Sequence, residues 1–165
     1  MITLRDYEAG DAGRLVELAN NENVSRYLIY TFPCPYTAED AKWWIEIGSH
    51  QNGAVTKVIE FEGTFVGGVG ITPQTGWRSH LAEIGYWLGE EFWGRGIATE
   101  ALRQMTEWTF AGSQFDKLFA PVLAPNLPSM RVLEKNDYQL EGILKNEVAK
   151  HGRRFDLHHY AKERT

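Results

Sequence analysis

Residues 93–100 read Trp93-Gly94-Arg95-Gly96-Ile97-Ala98-Thr99-Glu100 and stand between a strand-like run, Leu81 to Leu88, and a helix-forming segment. Strand, glycine-bearing turn and helix N-terminus together make an anion site. The first N–H groups of a helix lack partners within it, and the helix dipole places partial positive charge there. Glycine lets the backbone approach an anion closely and take positive φ. The stretch therefore predicts a bound nucleotide-like cofactor; read alone, it fits a tight strand-to-helix turn equally well.

Outward from this loop the periodicity alternates. From Ile97 the pattern is helical, with Ala98, Ala101, Leu102, Met105 and Trp108 on one face. Upstream, Ile2 to Arg5 predicts a short strand and Asp11 to Ala19 a short helix. Asn20 to Tyr36 is irregular and aromatic-rich. Thr37 caps a helix from Ala38 to about Gly48, with Asp40 at its third position. Ala54 to Phe61 and Thr64 to Ile71 predict a hairpin turning at Glu62-Gly63. Downstream, Lys117 to Leu123 is a strand, and Asn126 caps a helix to about Asn136 with Pro128 in its first turn. Tyr138 to Glu147 and Arg154 to Ala161 form a closing antiparallel pair around His151-Gly152. The order is roughly βααβββαβαββ, a mixed α/β sheet rather than an all-parallel one.

The chain's 165 residues suit one domain, 1–165, with no linker or repeat dividing it. A net charge of −5 argues against nucleic-acid binding, which needs a basic face, and is compatible with a cationic acceptor. Cys34 is the only cysteine, so no internal disulfide can form. No apolar run is long enough to span a membrane, and the N-terminal residues lack the apolar core of a secretion signal. A cytoplasmic protein, monomer or homodimer, is expected. His158 and His159 are adjacent and would point to opposite faces of a strand, and His50, His80 and His151 lack ligand spacing, so no metal site is expected. Trp43, Trp44 and Trp108 read as core or helix-face residues.

Four segments together resemble the GNAT superfamily of N-acetyltransferases, and within it the RimJ/RimL-type branch. Ala82-Glu83-Ile84-Gly85-Tyr86-Trp87-Leu88 is similar to the family's central strand, and Trp93 to Ala101 to its pyrophosphate loop and helix. Asn126-Leu127-Pro128-Ser129, followed by Val132 to Lys135, is the third segment, and the tail from Glu141-Gly142 to Tyr160-Ala161 the fourth. The ordered set covers nearly the whole chain. Three positions depart from the pattern. Trp93 stands where the family often has Gln or Arg, and Asp137-Tyr138 where Gly-Phe is usual. Leu133 stands where many members carry a tyrosine acid, which excludes a tyrosine acid at that position.

The resemblance implies the GNAT fold: a twisted, mostly antiparallel sheet with a central parallel strand pair, splayed near the fourth and fifth strands, and helices on both faces. It implies acetyl-CoA as cosubstrate and direct attack by an amine, without a covalent enzyme intermediate. The pyrophosphate would rest on Gly94, Arg95, Gly96, Ile97, Ala98 and Thr99, and the pantetheine arm would pair with Tyr86, Trp87 and Leu88. A backbone N–H near Gly85 or Tyr86 would polarise the thioester carbonyl. Asn126 and Ser129 would contact the cofactor from the other side. Ser129 is the expected proton donor to the thiolate, and Glu83 and Glu147 are the alternatives for the base. The structural alternatives are a paired strand carboxylate at Glu83, a surface charge at Glu147 and a helix cap at Asn126. Tyr30 and Phe32 are the expected acceptor contacts. A protein N-terminus is the acceptor the branch implies. The alternatives are a small amine (polyamine, amino acid or aminoglycoside) or a non-catalytic acyl-CoA-binding module.

Overall fold

In the computed structural model, which describes residues 1–28, 31–112 and 114–165, the predicted strands assemble into one seven-stranded sheet. They are β1 (Ile2–Arg5), β2 (Val55–Phe61), β3 (Thr64–Pro73), β4 (Leu81–Leu88), β5 (Lys117–Leu123), β6 (Gln139–Lys150) and β7 (Arg153–Glu163). Their order is β1-β2-β3-β4-β5-β7-β6, and every neighbouring pair is antiparallel except β4 with β5. Hairpin turns explain most of this. Glu62 (φ 51°) and Gly63 (φ 78°) join β2 to β3, and His151 (φ 52°) and Gly152 (φ 71°) join β6 to β7, as the two-residue turn signals predict.

Helices α1 (Ala12–Ala19), α2 (Glu22–Ser25), α3 (Ala38–Glu46), α4 (Ile97–Ala111) and α5 (Leu127–Glu134) complete the fold. Two buried clusters lie on opposite faces of the sheet. On one, Ile97, Ala101, Leu102 and Met105 of α4 and Met130 and Leu133 of α5 pack on Ile59, Ile71, Ile84 and Leu118. On the other, Leu15, Leu18 and Ala19 of α1 and Ala41 of α3 pack on Val58 and Phe65. Strand residues therefore alternate between two covered faces, which the period-2 pattern requires.

The parallel pair decides where a ligand can enter. β4 and β5 pair only at Leu81↔Lys117, Ala82↔Leu118 and Glu83↔Phe119, although both strands continue. Beyond Glu83 the β5-facing edge of β4 has no strand partner. Apart from the Leu88 carbonyl, which accepts the Trp93 indole N–H, backbone groups there are open to an extended ligand, because unpaired N–H and C=O groups must find partners.

Some expected boundaries need correction. α3 stops at Glu46 rather than near Gly48; Ile47 leaves helical geometry (φ −133°, ψ −60°), and Gly48 opens a kinked 3₁₀ segment. The stretch expected to be wholly irregular contains α2, whose N-cap Asn21 accepts from the Asn23 N–H at 2.8 Å. β6 and β7 both run longer than predicted. β6 changes register between Leu144 and Val148, where Asn146 takes φ 51° and donates its N–H to Asp156 at 2.9 Å, so the bulge breaks the alternation that marks a strand. Tyr138 precedes the strand instead of belonging to it; it is buried, with its hydroxyl 2.8 Å from that of Thr106.

β3 carries three close-approach glycines. A Cβ at Gly67 would collide with the Trp87 carbonyl and lie 2.9 Å from Leu88 Cα, both backbone atoms that cannot swing aside. Gly67→Ala is therefore expected to destabilise the fold by about 1–3 kcal/mol through overpacking. For a chain of this size each kcal/mol lowers Tm by about 2–4 °C, which thermal denaturation would read.

Candidate active site

The N-terminus of α4 is left open by its own sequence. Gly94 (φ 73°) and Gly96 (φ 75°) are left-handed, which glycine adopts without a Cβ penalty. Gly96 is the N-cap and supplies no side-chain cap, whereas Thr37 caps α3 and Asn126 caps α5. The first N–H groups of this 15-residue helix are thus free to meet an anion. A Cβ at either glycine would project into open space, so backbone conformation and not packing selects glycine there. Arg95 is exposed, with its guanidinium 5.6 Å from the centre of the Phe92 ring. Trp93, the departure from the family pattern, donates its indole N–H to the Leu88 carbonyl at 3.0 Å and ties the loop to the end of β4.

On the opposite face of β4 lies a cleft of about 400 Å³. Glu83, Gly85 and Trp87, alternate residues of β4, line it together with Gly68 and Gly70 of β3 and the aromatic side chains of α3 and the loop before it. Gly68 permits this close floor: a Cβ there would lie 2.6 Å from the Tyr7 hydroxyl and 2.7 Å from Trp87 Nε1. Tyr7, held beneath Trp44 and Phe65, has its phenol pushed up to about 12 by burial.

Glu83 stands at the last rung of the parallel pair, opposite Phe119 on one side and Thr72 on the other. Its carboxyl makes no hydrogen bond or ion pair among the described residues. Burial raises its pKa above the ordinary glutamate value; Arg78, whose guanidinium sits 4.9 Å over the Phe119 ring, opposes that rise without cancelling it. A half-buried carboxyl at the head of a cleft, without a hydrogen bond or close ion pair among the described residues and with Arg78 as its electrostatic neighbour, can accept a proton.

Tyr86 and Ser129 form a second proton-bearing group. The Tyr86 hydroxyl lies 2.7 Å from Ser129 Oγ and 3.0 Å from the Ser129 carbonyl oxygen. Burial pushes the Tyr86 phenol well above its usual range, so it stays a neutral donor. Asn126 accepts from the Ser129 N–H at 3.4 Å and serves as the N-cap that sets the serine at the start of α5. Leu133 is buried in the core, as its apolar character requires.

Other expected site residues separate. Phe32 lines the cleft, 5.7 Å from Trp87 between ring centres. Tyr30 lies outside the described residues. Glu147 is exposed on β6, the edge strand, and does not line the cleft. Trp43 and Trp44, read as core or helix face, both line the cleft, and Trp43 is 47% exposed. Their adjacency carried that signal: neighbours on a helix point about 100° apart, so one narrow core stripe cannot hold both rings. The Tyr86–Ser129 contact had no such signal, because it joins residues 43 apart in sequence. No cluster of metal-binding side chains occurs among the described residues, and no described helix is long and apolar enough to cross a membrane.

A helix N-terminus open to phosphate, a split parallel pair and a cleft behind it are the features of an acyl-CoA-dependent transferase. Residues 1–139 match the acetyltransferase (GNAT) domain family. The uncharacterized N-acetyltransferase p20 of Bacillus licheniformis is 30% identical over 97% of this chain and 91% of its own. RimJ of Mycobacterium smegmatis, solved with CoA-disulfide, is 26% identical and superposes with a TM-score of 0.87 over 98% of this chain and 81% of its own. The microcin C7 self immunity acetyltransferase MccE, solved with acetyl-CoA and AMP, has the same fold, with a TM-score of 0.86 and 24% identity over 98% and 92% of the two chains. The chain belongs to the GNAT acetyltransferase family and is an N-acetyltransferase that uses acetyl-CoA.

Proposed function

We propose that residues 1–165 form one acetyltransferase domain that acetylates the α-amino group of a peptide or protein N-terminus by direct attack on acetyl-CoA. One domain is supported by β5, β6 and β7 lying in the same sheet as β1 to β4. The observation that carries the chemistry is the division of two proton sites across β4. Glu83 and Tyr86 both border the cleft, but the Tyr86 side chain packs with the α4–α5 cluster and its hydroxyl meets Ser129 at the start of α5. The likeness to the putative ribosomal N-acetyltransferase YdaF of Bacillus subtilis, 26% identical over 97% of this chain, supports a protein acceptor.

In this reading the backbone N–H groups from Gly94 to Thr99, with Arg95, hold the pyrophosphate, and the open edge of β4 at Tyr86, Trp87 and Leu88 holds the pantetheine arm. A backbone N–H near Gly85 or Tyr86 polarises the acetyl carbonyl, a donor worth about 3 kcal/mol. An α-amine has a reference pKa of about 8, so much of it is protonated at neutral pH. Glu83 takes the proton the amine loses as its nitrogen bonds to the acetyl carbon. The carbon–sulfur bond breaks, and Ser129 relays a proton from solvent water to the leaving thiolate, donating its own as it accepts the replacement. Asn126 holds Ser129 in place, and Phe32 walls the acceptor. Glu147 is the competing base, and a Glu147→Gln enzyme retaining wild-type kcat would remove it.

Release of CoA thiol over a panel of N-terminal peptides and small amines tests the reading, with product mass locating the acetyl group. Acetylation at peptide α-amines is expected. Turnover confined to small amines overturns the acceptor, and acetyl-CoA binding without turnover on any amine makes the protein a binding module. For the loop, Gly96→Val places a β-branched residue at positive φ, a strain of about 1–3 kcal/mol. It is expected to raise the KM for acetyl-CoA by about tenfold in steady-state kinetics.

A further inference from the structure

The cleft walls have a chemistry that sorts acceptors. Tyr7, Phe32, Tyr36, Trp43, Trp44 and Trp87 contribute six aromatic rings. They brace one another at defined angles: Tyr7 meets Trp44 edge-on at 6.1 Å, and Phe32 lies 5.4 Å from Tyr36. The floor is bare β3 backbone at Gly68 and Gly70. Among the described residues, the charged side chains lining the cleft are Asp40 and Glu83, both acidic; no Lys, Arg or His lines it. Two nearby cations are otherwise engaged. Lys150 donates to the carbonyls of Ser25 and Leu28, each at 2.6 Å, and Arg78 is stacked over Phe119.

Three consequences follow for any amine that enters. An apolar body gains from desolvation against the rings. A cationic amine is attracted by the two carboxylates and by aromatic faces. A carboxylate next to the amine would be carried toward Glu83, where Arg78, outside the cleft lining, offsets the charge only in part, an arrangement that disfavours such a ligand. A free amino acid carries that carboxylate; the same residue at a peptide N-terminus carries a neutral amide.

We propose that this cleft selects an N-terminal residue with a large apolar or aromatic side chain and a carboxyl neutralised in amide linkage, and that it rejects the free amino acid and small polar first residues. The inference rests on the reading of the cleft as the acceptor site. It goes beyond that reading by naming the side chain and the charge state that the acceptor must have.

L-Phenylalaninamide, L-phenylalanine and L-serinamide isolate the two requirements. Their pH-independent kcat/KM values at saturating acetyl-CoA remove the differences in amine basicity. Phenylalaninamide is expected to exceed phenylalanine by about 100-fold and serinamide by about tenfold or more. Trp43→Ala is expected to raise the KM for phenylalaninamide and to shrink its advantage over serinamide. Phenylalanine matching its amide overturns the charge requirement, and serinamide matching phenylalaninamide overturns the apolar one. An unchanged ratio in Trp43→Ala removes the aromatic wall as its cause. A different outcome, in which no amide or peptide is acetylated although acetyl-CoA binds, overturns the acceptor-site reading itself and the inference with it.

Discussion

Glu83→Gln is expected to lower kcat by about 10²- to 10⁴-fold at pH 7, the contribution of a positioned general base. The change keeps the side chain's size and removes its ability to take a proton. Burial raises the Glu83 pKa, so the acid limb of the wild-type kcat/KM profile should fall above the ordinary glutamate range. The variant should lose that limb. Stability moves the other way. A carboxyl with a raised folded-state pKa binds its proton more tightly when folded, so its contribution is favourable at low pH and is lost as pH rises through that folded pKa. At pH 7 the wild type therefore holds a desolvated charge that glutamine lacks. The variant should melt at the same temperature as the wild type or higher, and the difference should narrow on acidification. A variant that is inactive and also melts much lower would place Glu83 in the architecture rather than the chemistry. Wild-type kcat in the variant would remove Glu83 as base.

Ser129→Ala is expected to reduce kcat by about 10- to 100-fold with little change in the KM for acetyl-CoA. The expected loss is smaller than for Glu83 because a thiol, with a reference pKa near 8.5, is a better leaving group than an alcohol. The hydroxyl pair makes a further distinction. The Tyr86 hydroxyl can donate to the Ser129 carbonyl or to Ser129 Oγ, and only the second arrangement leaves the serine proton free for the sulfur. Tyr86→Phe removes the donor that favours that arrangement. It should lower kcat by less than Ser129→Ala, and the double variant should be no worse than Ser129→Ala alone. Additive losses would mean that Tyr86 acts independently of Ser129. Steady-state kinetics of the three variants, with circular dichroism to confirm folding, would decide it.

Much of this architecture was legible in local patterns. Strand β4, the Gly94–Gly96 loop and α4 are contiguous in sequence, so alternation, glycine and helical periodicity reported them directly. The hairpin turns were legible for the same reason. The boundaries that shifted are those where a non-local contact or an irregular residue overrides periodicity. Gly48 lies under the Trp43 and Trp44 rings, the β6 bulge is held by Asp156, and Tyr138 is drawn into the core beside Thr106. The site divides similarly. Ser129 stands out in the sequence as part of its motif, whereas its partner Tyr86 reads only as a strand residue offering backbone groups. Trp43 and Trp44 read as packing residues in the sequence, and Trp44 does pack on the α1–α3 cluster, but an amphipathic pattern identifies a face without saying that it also lines a cleft.

The sequence by itself determined the local frame of the proposed donor side: two glycines at positive φ run directly into a helix without a side-chain cap, and the anion site proposed there is made by consecutive backbone N–H groups. Only the tertiary structure decided the cleft proposed as the acceptor side. The parallel pair separates after Glu83 and Phe119, and that separation stands Glu83 unpaired at the head of a cleft walled by rings from β4, α3 and the segments around them. Side chains that are distant in sequence acquire a common environment, and hence a shifted pKa and a selective surface, only when the sheet brings them together.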